Sequence, residues 1–418
     1  MNSETKNCQS CKKDFTIELE DFAFYEKINV PPPTWCPDCR LQRRLCFMNE
    51  RTFYKRDCDK CGKNVISMFP AGRHKKVYCS PCWWSDDWGA EQYGRPYDFS
   101  RPFFEQFAEL YAEVPEFARL VSETTLVRSD YSNLSSYLKD CYLVFNSDYD
   151  EECSYCEFLE QSKLCIDVSN ALSMERCYGI INGYKCYSCT NTFSCDECVN
   201  VHFSSNLSGC SDCFGCVGLK RKQYCFFNEQ LTKEEYEKKM SEWNSGSYSK
   251  WLEAEKKLKE NIFKFPQKFM TESRNSNVTG DFIFWSKNTF NSYEIISTED
   301  SKYCQFMTFP EKTSDSYDFT MWGGGAERMY ECMGCGGGQS GVRFCFNSWS
   351  QSVNLEYCWY ISNIKGSDLF GCIGLRNKQY CVLNKQYTKE EYEELVPKII
   401  KHMDDMPYAD SKGRIYKY

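Results

Sequence analysis

The sequence predicts a mainly β protein with α-helical insertions, in which a small N-terminal unit precedes a duplicated parallel β-solenoid (β-helix). Three observations predict this fold. Four Cys-x-x-Cys pairs lie within residues 1–95, small and apolar residues then recur with a period of 21, and one 27-residue motif occurs twice, 156 residues apart. A period near 20 with similar residues in register is typical of a solenoid, because each repeat stacks on the one before it.

The composition narrows the class of protein. The 418 residues include 29 cysteines but only three histidines. No apolar run is long enough to span a membrane and the first residues do not resemble a signal peptide, so we expect a cytoplasmic protein without a membrane span. Thiols stay reduced there, and the cysteines are therefore expected to bind metal or to pack as small buried side chains. The scarcity of histidine counts against acid–base catalysis and catalytic zinc, and no reaction is predicted.

Residues 1–95 are predicted to form a double zinc-ribbon or treble-clef-like unit. Four thiolates complete a tetrahedral sphere and leave no position for a substrate, so each set of four cysteines predicts one structural zinc ion. The ninth cysteine of this unit, Cys46, is expected to pack. Paired in chain order, the cysteines give two sets: Cys8, Cys11, Cys36 and Cys39, then Cys58, Cys61, Cys79 and Cys82.

A short basic helix is expected directly after Cys39. Exposed Arg and Lys side chains on one face are typical of phosphate contacts with RNA or DNA. The alternative is a solvated face whose charges pair with nearby carboxylates. The rest of the chain is acidic and gives the protein its net charge of −8, so any nucleic-acid contact is expected in this unit. The candidate contact residues are Arg40, Arg43, Arg44, Arg51, Lys55 and Arg56.

A connector over residues 96–130 leads to a first solenoid segment over residues 131–228. The connector is predicted to carry a docking helix from about Pro102 to Val114. In the solenoid, one column of the 21-residue repeat reads Cys153, Met174 and Cys195. Met would hold neither zinc nor an iron–sulfur cluster here but fills an interior, so the columns favour a thiol-lined core over extra metal sites.

The duplicated motif predicts how each segment ends. Both copies finish in Thr-Lys-Glu-Glu-Tyr, where Thr232 with Glu235 and Thr388 with Glu391 form capping boxes that start a helix. We expect a helical hairpin over residues 229–275, broken at residues 244–247. A second solenoid segment, whose period drifts towards 23, follows over residues 276–386, and a capping helix and tail cover residues 387–418. A Gly-rich stretch over residues 322–341 predicts tight corners.

Two motifs carry a resemblance to a known family. They are Cys36-Pro-Asp-Cys-Arg-Leu-Gln-Arg-Arg with Trp84-Ser-Asp-Asp-Trp88, and the twice-occurring Phe-Gly-Cys-x-Gly-Leu-x-x-Lys-Gln-Tyr-Cys. They resemble a cysteine-rich zinc-ribbon family inferred from genomes of uncultivated small-genome bacteria. The resemblance implies an architecture and no catalytic residue, because that family has no established activity. A coenzyme A transferase label on some members has no counterpart here in an α/β nucleotide-binding pattern.

These observations leave three hypotheses of function. The leading one is a non-enzymatic cytoplasmic scaffold or recognition protein, whose rigid solenoid surface binds a protein partner or a second copy. The first alternative is binding to RNA or a ribonucleoprotein through the basic helix. The second is an enzyme with its site in a solenoid groove, for which the sequence identifies no pair of carboxylates.

Overall fold

The structure, a computed structural model, is mainly β, and its two large sheets are built of parallel strands that follow one another in sequence. No described helix is both long and apolar enough to cross a membrane. The described helices are α1 (Leu19–Lys27), α2 (Pro37–Leu45), α3 (Ser80–Trp83), α4 (Phe103–Glu113), α5 (Lys233–Trp243), α6 (Tyr248–Ile262) and α7 (Lys389–Asp405), with 3-10 turns at Ala90–Tyr93 and Glu123–Thr125. The structure describes residues 2–73, 75–172, 174–183, 185–243, 246–349, 351–362 and 366–418.

The strands fall into four groups along the chain. The N-terminal unit holds β1 (Glu4–Asn7), β2 (Asp14–Ile17), β3 (Tyr54–Asp57), β4 (Asn64–Ser67), β5 (Val77–Tyr78) and β6 (Glu116–Phe117). The first sheet holds β7 (Ser132–Ser136), β8 (Tyr142–Asp148), β9 (Ser154–Glu160), β10 (Lys163–Leu172), β11 (Glu175–Ile181), β12 (Thr190–Asp196), β13 (Val199–Ser208), β14 (Ser211–Phe214), β15 (Gln223–Phe226) and β16 (Glu229–Gln230). The second sheet holds β17 (Glu272–Ser273), β18 (Ser276–Phe284), β19 (Lys287–Ile296), β20 (Thr298–Lys302), β21 (Gln305–Met307), β22 (Thr313–Ser314), β23 (Tyr317–Gly323), β24 (Glu327–Gly336), β25 (Ser340–Arg343), β26 (Val353–Glu356), β27 (Ser367–Phe370), β28 (Cys381–Val382) and β29 (Lys385–Gln386). The tail holds β30 (Tyr408–Ala409) and β31 (Ile415–Tyr416).

The parallel strands of the first sheet pair in a constant register, in which the numbers of two partner residues differ by 12. Val144 lies opposite Cys156, and Ser154 lies opposite Ile166. The same offset continues to the end of the parallel part, where Cys213 pairs with Cys225. The 21-residue period predicted from the columns is therefore wrong as a structural repeat.

The physical reason for that error is a still shorter period of three. Every third described residue from Leu134 to Phe227 has a positive φ. The buried positions also recur at intervals of three from Leu138 to Cys216, with the partly exposed Gly183 as an exception. Both 12 and 21 are multiples of three, so a column spaced by 21 still collects buried positions. The predicted columns thus identified the interior but not the strand register.

The buried positions also carry a recurrent hydrogen bond. The N–H of a buried residue donates to the side chain that lies 12 residues earlier, as from Cys141 to the Ser129 hydroxyl at 3.0 Å and from Leu159 to the Ser147 hydroxyl at 3.0 Å. Cys216 accepts the N–H of Asn228 through sulfur at 3.4 Å. Buried N–H groups require partners, so Ser and Cys suit these positions because both accept a hydrogen bond and are small.

The second sheet has the same design with longer and less regular repeats. The numbers of its partner residues differ by 11 where Ser276 lies opposite Lys287 and by 15 where Thr298 lies opposite Thr313. The predicted drift of the period towards 23 is therefore wrong. The Gly-rich stretch lies where 13-residue repeats add one residue, and Gly323 pairs with Gly336 there. A Cβ on Gly336, at a φ of 142°, would overlap the carbonyl oxygen of Gly323, so this corner requires glycine.

The two sheets lie side by side and run in opposite directions. Phe158 stacks on Phe306 with ring centroids 5.4 Å apart, and the Asn170 side chain donates to Glu294 at 2.7 Å. Between these two contacts the residue number rises by 12 in the first sheet and falls by 12 in the second. The two copies of the motif therefore do not continue one another as a single sheet.

Helices begin at the predicted capping boxes and cover the last strands. The N–H groups of Thr232 and Glu235 bond reciprocally to the Glu235 and Thr232 side chains at 2.9 and 3.3 Å, and the Thr388 box is also formed. The hairpin break begins at residues 244 and 245, which lie outside the described residues; α5 ends at Trp243 and α6 begins at Tyr248. The connector helix forms close to its predicted bounds, and Phe103 packs on Phe370 of the second sheet.

Asp150 provides a pH test of the buried hydrogen bonds. Its carboxylate accepts the Ser162 N–H at 2.8 Å, and burial raises its pKa to about 8, with contributions from Cys141, Asp148 and Glu160. An unfolded Asp titrates near 4, so this carboxyl contributes stability below about pH 4 that is lost as the pH rises to about 8. We expect Asp150→Asn to raise the free energy of unfolding at pH 8 by about 1–3 kcal/mol.

The measurement is denaturant unfolding of both proteins at pH 4.5 and pH 8. The difference between the two curves should be much smaller at the lower pH, because wild-type Asp150 is protonated there in the folded state. Asp167→Asn, at an exposed position of the same sheet, is the matched control and should show no such pH-dependent gain. A difference between wild type and Asp150→Asn that is independent of pH would contradict the assignment.

Candidate metal centres

The first set of four cysteines is assembled by a β-hairpin and a helix. Cys8 and Cys11 lie in the turn between β1 and β2, while Cys36 precedes the first residue of α2 and Cys39 lies in its first turn. The four sulfur atoms lie within 4.8 Å of one another. The Sγ atoms of Cys11 and Cys36 are 3.7 Å apart, and the N–H of Cys36 donates to Cys8 Sγ at 3.2 Å.

The second set repeats this arrangement on the next hairpin. Cys58 and Cys61 lie between β3 and β4, and Cys79 and Cys82 lie at the start of α3. The Sγ atoms of Cys61 and Cys79 are 3.8 Å apart, and the Cys79 N–H donates to Cys58 Sγ at 3.3 Å. The predicted pairing of the eight cysteines into two sets, in chain order, is confirmed. Each set can hold a metal ion through four thiolates.

Main-chain donors prepare one thiol in each set for ionisation. Burial raises the pKa of Cys8, but the N–H groups of Cys36, Cys11 and Ser10 outweigh it and lower that pKa to about 6. Burial acts in the same direction on Cys58, whose pKa falls to about 7 through the N–H groups of Cys79, Cys61 and Lys60. A thiolate is the form that binds a metal. The hairpin turn and the helix start thus supply electrostatic stabilisation as well as ligand positions.

Helix α2 ties the first set to the second sheet through buried ion pairs. Arg40 Nη2 lies 2.7 Å from Asp318 Oδ2 and Arg44 Nη1 lies 3.0 Å from Asp318 Oδ1. The Arg40 side chain is 1% exposed and that of Asp318 is 0% exposed, so this carboxylate is enclosed between two guanidinium groups. Phe24 of α1 stacks on Tyr317 beside them at 3.7 Å. Breaking such a buried pair leaves an uncompensated charge.

The basic residues predicted to contact nucleic acid are therefore mostly engaged elsewhere. Arg40 and Arg44 are buried against Asp318, and Arg56 is buried and pairs with Asp59 at 2.8 Å. Phosphate contact by these three is contradicted, because helix periodicity shows which face carries the charges but not which acidic sheet lies opposite. The other three are less enclosed. Arg43 pairs with Glu331, Arg51 pairs with Glu157, and Lys55 is exposed.

The second set contacts the sheet near the end of the duplicated motif. The Arg376 side chain donates to the Trp88 carbonyl oxygen at 2.7 Å, and Asn384 donates to the Ala90 carbonyl oxygen at 2.9 Å. Trp83, in the same turn as Cys82, is fully buried and lies against Gly374. Both metal centres thus sit on the second sheet.

Two further features were not predicted from the sequence. A cavity of about 380 Å³ lies between the N-terminal unit and the second sheet. Cys46, expected to pack, is exposed and lines this cavity, and no Asp or Glu is among the cavity's described lining residues. A third group of sulfur atoms, of Cys186, Cys189 and Cys195, lies within the first sheet. Its two CxxC pairs, completed by Cys198, were the available signal, but they were assigned to packing.

Comparison of the chain with protein-family models, with curated proteins and with solved structures gave no match. The properties of the site therefore rest on the residues described above.

Removal of one ligand tests the first centre. Cys39→Ser should lower the metal content by one ion per chain relative to wild type, because a set of three thiolates no longer closes the sphere. It should also lower the melting temperature, since α2 starts at this centre. Metal analysis and a thermal melt measure both effects. Cys46→Ser, an exposed cysteine outside both sets, is the control, and an unchanged metal content in Cys39→Ser would refute the site.

Asp318→Asn tests the buried pairs that hold α2. We expect the free energy of unfolding to fall by about 3–5 kcal/mol, because two buried guanidinium groups lose their counter-charge. The matched control is Asp315→Asn, three residues away, whose partner Lys27 is 51% exposed and 2.6 Å distant. An exposed pair contributes at most about 1 kcal/mol. Equal losses in the two variants would show that the Asp318 pairs add nothing beyond a surface interaction.

Proposed function

We propose that this chain is a zinc-stabilised, non-enzymatic scaffold that binds a protein partner on the first sheet. Zinc is supported by the sulfur spacing of the two centres. With a Zn–S bond near 2.3 Å, a tetrahedral site has S···S edges of about 3.8 Å. The observed separations of 3.7 and 3.8 Å fit that value. Four thiolates leave no open coordination position, so the zinc stabilises the fold and does not bind substrate.

The observation that carries the scaffold proposal is an exposed apolar strip on the first sheet. Tyr142, Ser154, Ile166 and Tyr178 are register partners and form one row across successive strands. Tyr142 is 44% exposed and Ile166 is 45% exposed, and Tyr155 beside them is 56% exposed. The Tyr142 and Tyr155 rings contact edge to face at 5.6 Å. Contiguous exposed aromatic and aliphatic side chains are typical of protein-binding surfaces.

The other end of this row shows what kind of partner fits. The row continues through Thr190 and His202 to Phe214, and Phe214 is buried under the helical hairpin of the chain itself. Trp251 of α6 packs on Tyr178 at 5.3 Å. Because the chain covers one half of the row with an amphipathic hairpin, we propose that a helix of a partner covers the other half in the same manner.

The same contacts weigh against the two alternative functions. The RNA hypothesis required a free basic face on α2, whereas Arg40 and Arg44 are enclosed against Asp318. The enzyme hypothesis required converging carboxylates in a cleft, whereas the described lining of the cavity holds none. Protein recognition requires only a rigid surface with an exposed apolar strip.

Two finer statements belong to the same proposal. We propose that each parallel sheet closes into a β-solenoid, because buried positions recur at intervals of three and the strands pair at a nearly constant offset. We also propose a cytoplasmic location. The described cysteines are thiols rather than disulfides, and that compartment keeps thiols reduced.

Removing the strip tests the scaffold proposal. We expect Tyr142→Ser combined with Ile166→Ser to reduce partner recovery at least tenfold, because aromatic anchors at an interface contribute about 2 kcal/mol or more each. The partner is identified by photo-crosslinking from a benzoylphenylalanine placed at position 155 in the native host. Affinity of the identified partner is then measured for wild type and variant.

Tyr137→Ser is the matched control. Tyr137 is 51% exposed, but it stacks on Tyr149 at 4.5 Å in a different row. The control should bind as wild type does, and light scattering should show whether the partner is a second copy. A wild-type chain that is monomeric and crosslinks to no protein would overturn the proposal, as would equal losses in variant and control.

A further inference from the structure

The third group of cysteines lies in one repeat of the first sheet. Cys186, Cys189 and Cys195 are all buried, and their sulfur atoms lie within 4.8 Å of one another. Cys198 begins the next repeat, and its thiol also contacts that of Cys195. Cys195 is therefore surrounded by three thiols of the same sheet.

This group differs from the other buried thiols. Cys153, Cys165 and Cys177 follow one another at offsets of 12 and stack along one side of the interior. Cys186, Cys189 and Cys195 instead occupy three of the four buried positions of a single repeat, so their sulfur atoms approach a common point from different sides. Among the described residues of the two sheets, no other group of three metal-ligating side chains converges in this way.

The neighbouring repeat adds another sulfur atom to this region. Met174 and Gly183 precede Cys186 and Cys195 by one offset of 12. The Met174 side chain occupies the space that Gly183 leaves open, with its Sδ 3.2 Å from the place of a Cβ on Gly183. Met174 is 1% exposed, so its thioether lies in the interior next to the repeat that carries the three thiols. The surroundings are apolar and rich in sulfur.

We propose that Cys186, Cys189 and Cys195 bind one thiophilic d10 cation, zinc or copper(I), inside the first sheet. Thiolate sulfur selects these cations over hard ones such as magnesium or calcium. Binding exchanges three S–H protons, which leave to solvent, for three metal–sulfur bonds. The cation compensates the thiolate charge, which a buried site without a counter-ion would not tolerate.

The general thiol-lined core is compatible with this site. Elsewhere in the sheet a buried Cys donates to main-chain carbonyl groups, as Cys156 Sγ does to Ser154 at 3.1 Å and to Cys165 at 3.5 Å. The proposed site is one level of that core at which sulfur atoms face each other across the interior. It is independent of the proposed scaffold function and of the two N-terminal centres.

Metal counting on anaerobically purified protein tests the proposal. We expect wild type to hold one zinc or copper ion per chain beyond the two of the N-terminal centres, and Cys195→Ser to hold one fewer than wild type. Cys156→Ser is the matched control, because Cys156 is equally buried but outside the group, and it should keep the full count. Serine occurs naturally at other buried positions of this sheet, such as Ser162 and Ser204, so both variants are expected to fold.

A measurement on wild type alone guards against misfolded variants. Native mass spectrometry should show three bound ions on the folded chain, and X-ray absorption should show only sulfur ligands. A wild-type count of two overturns the proposal. So does an equal count in wild type and folded Cys195→Ser, or iron with inorganic sulfide at the third position.

Discussion

The hydrogen bond from each buried main-chain N–H to the side chain one repeat earlier is the constraint on which the sheets depend. In the first sheet every third residue takes a left-handed conformation, which costs roughly 1–2 kcal/mol for a residue with a Cβ. The chain then has N–H groups that point into the interior, such as that of Cys141. Unpaired, each would cost about 1–3 kcal/mol. Ser, Thr and Cys are the side chains that are both small enough and able to accept.

This constraint explains the unusual use of cysteine. A sulfur atom accepts the N–H from the next repeat and its S–H donates to carbonyl oxygens, as Cys156 does to Ser154 and Cys165. Sulfur also fills more apolar volume than a hydroxyl group. Cysteine thus serves as hydrogen-bonding group and core residue in one side chain. Where a carboxylate stands in this position, at Asp150, burial raises its pKa, which shows how poorly the interior accepts a charge.

The sequence predicted local features better than long-range ones. Both metal sets, the capping boxes and the connector helix follow from neighbouring residues whose chemistry is specific, and the structure contains them. The repeat length failed because 12 and 21 share a factor of three, so aligned residues cannot identify the strand register. The basic helix failed differently. Asp318 lies 278 residues from Arg40, and no local pattern reveals that pairing.

Cysteine therefore has two roles in this chain that its spacing alone does not separate. Cys8 and Cys58 receive several main-chain N–H donors at hairpin turns, and this favours thiolates and metal. A thiol such as Cys165 donates its own proton to a carbonyl oxygen and is stable as a neutral group. The same CxxC pattern occurs in both settings. What distinguishes them is whether sulfur atoms meet across a turn or an interior, or stack along one side of it, and only the three-dimensional fold decides that.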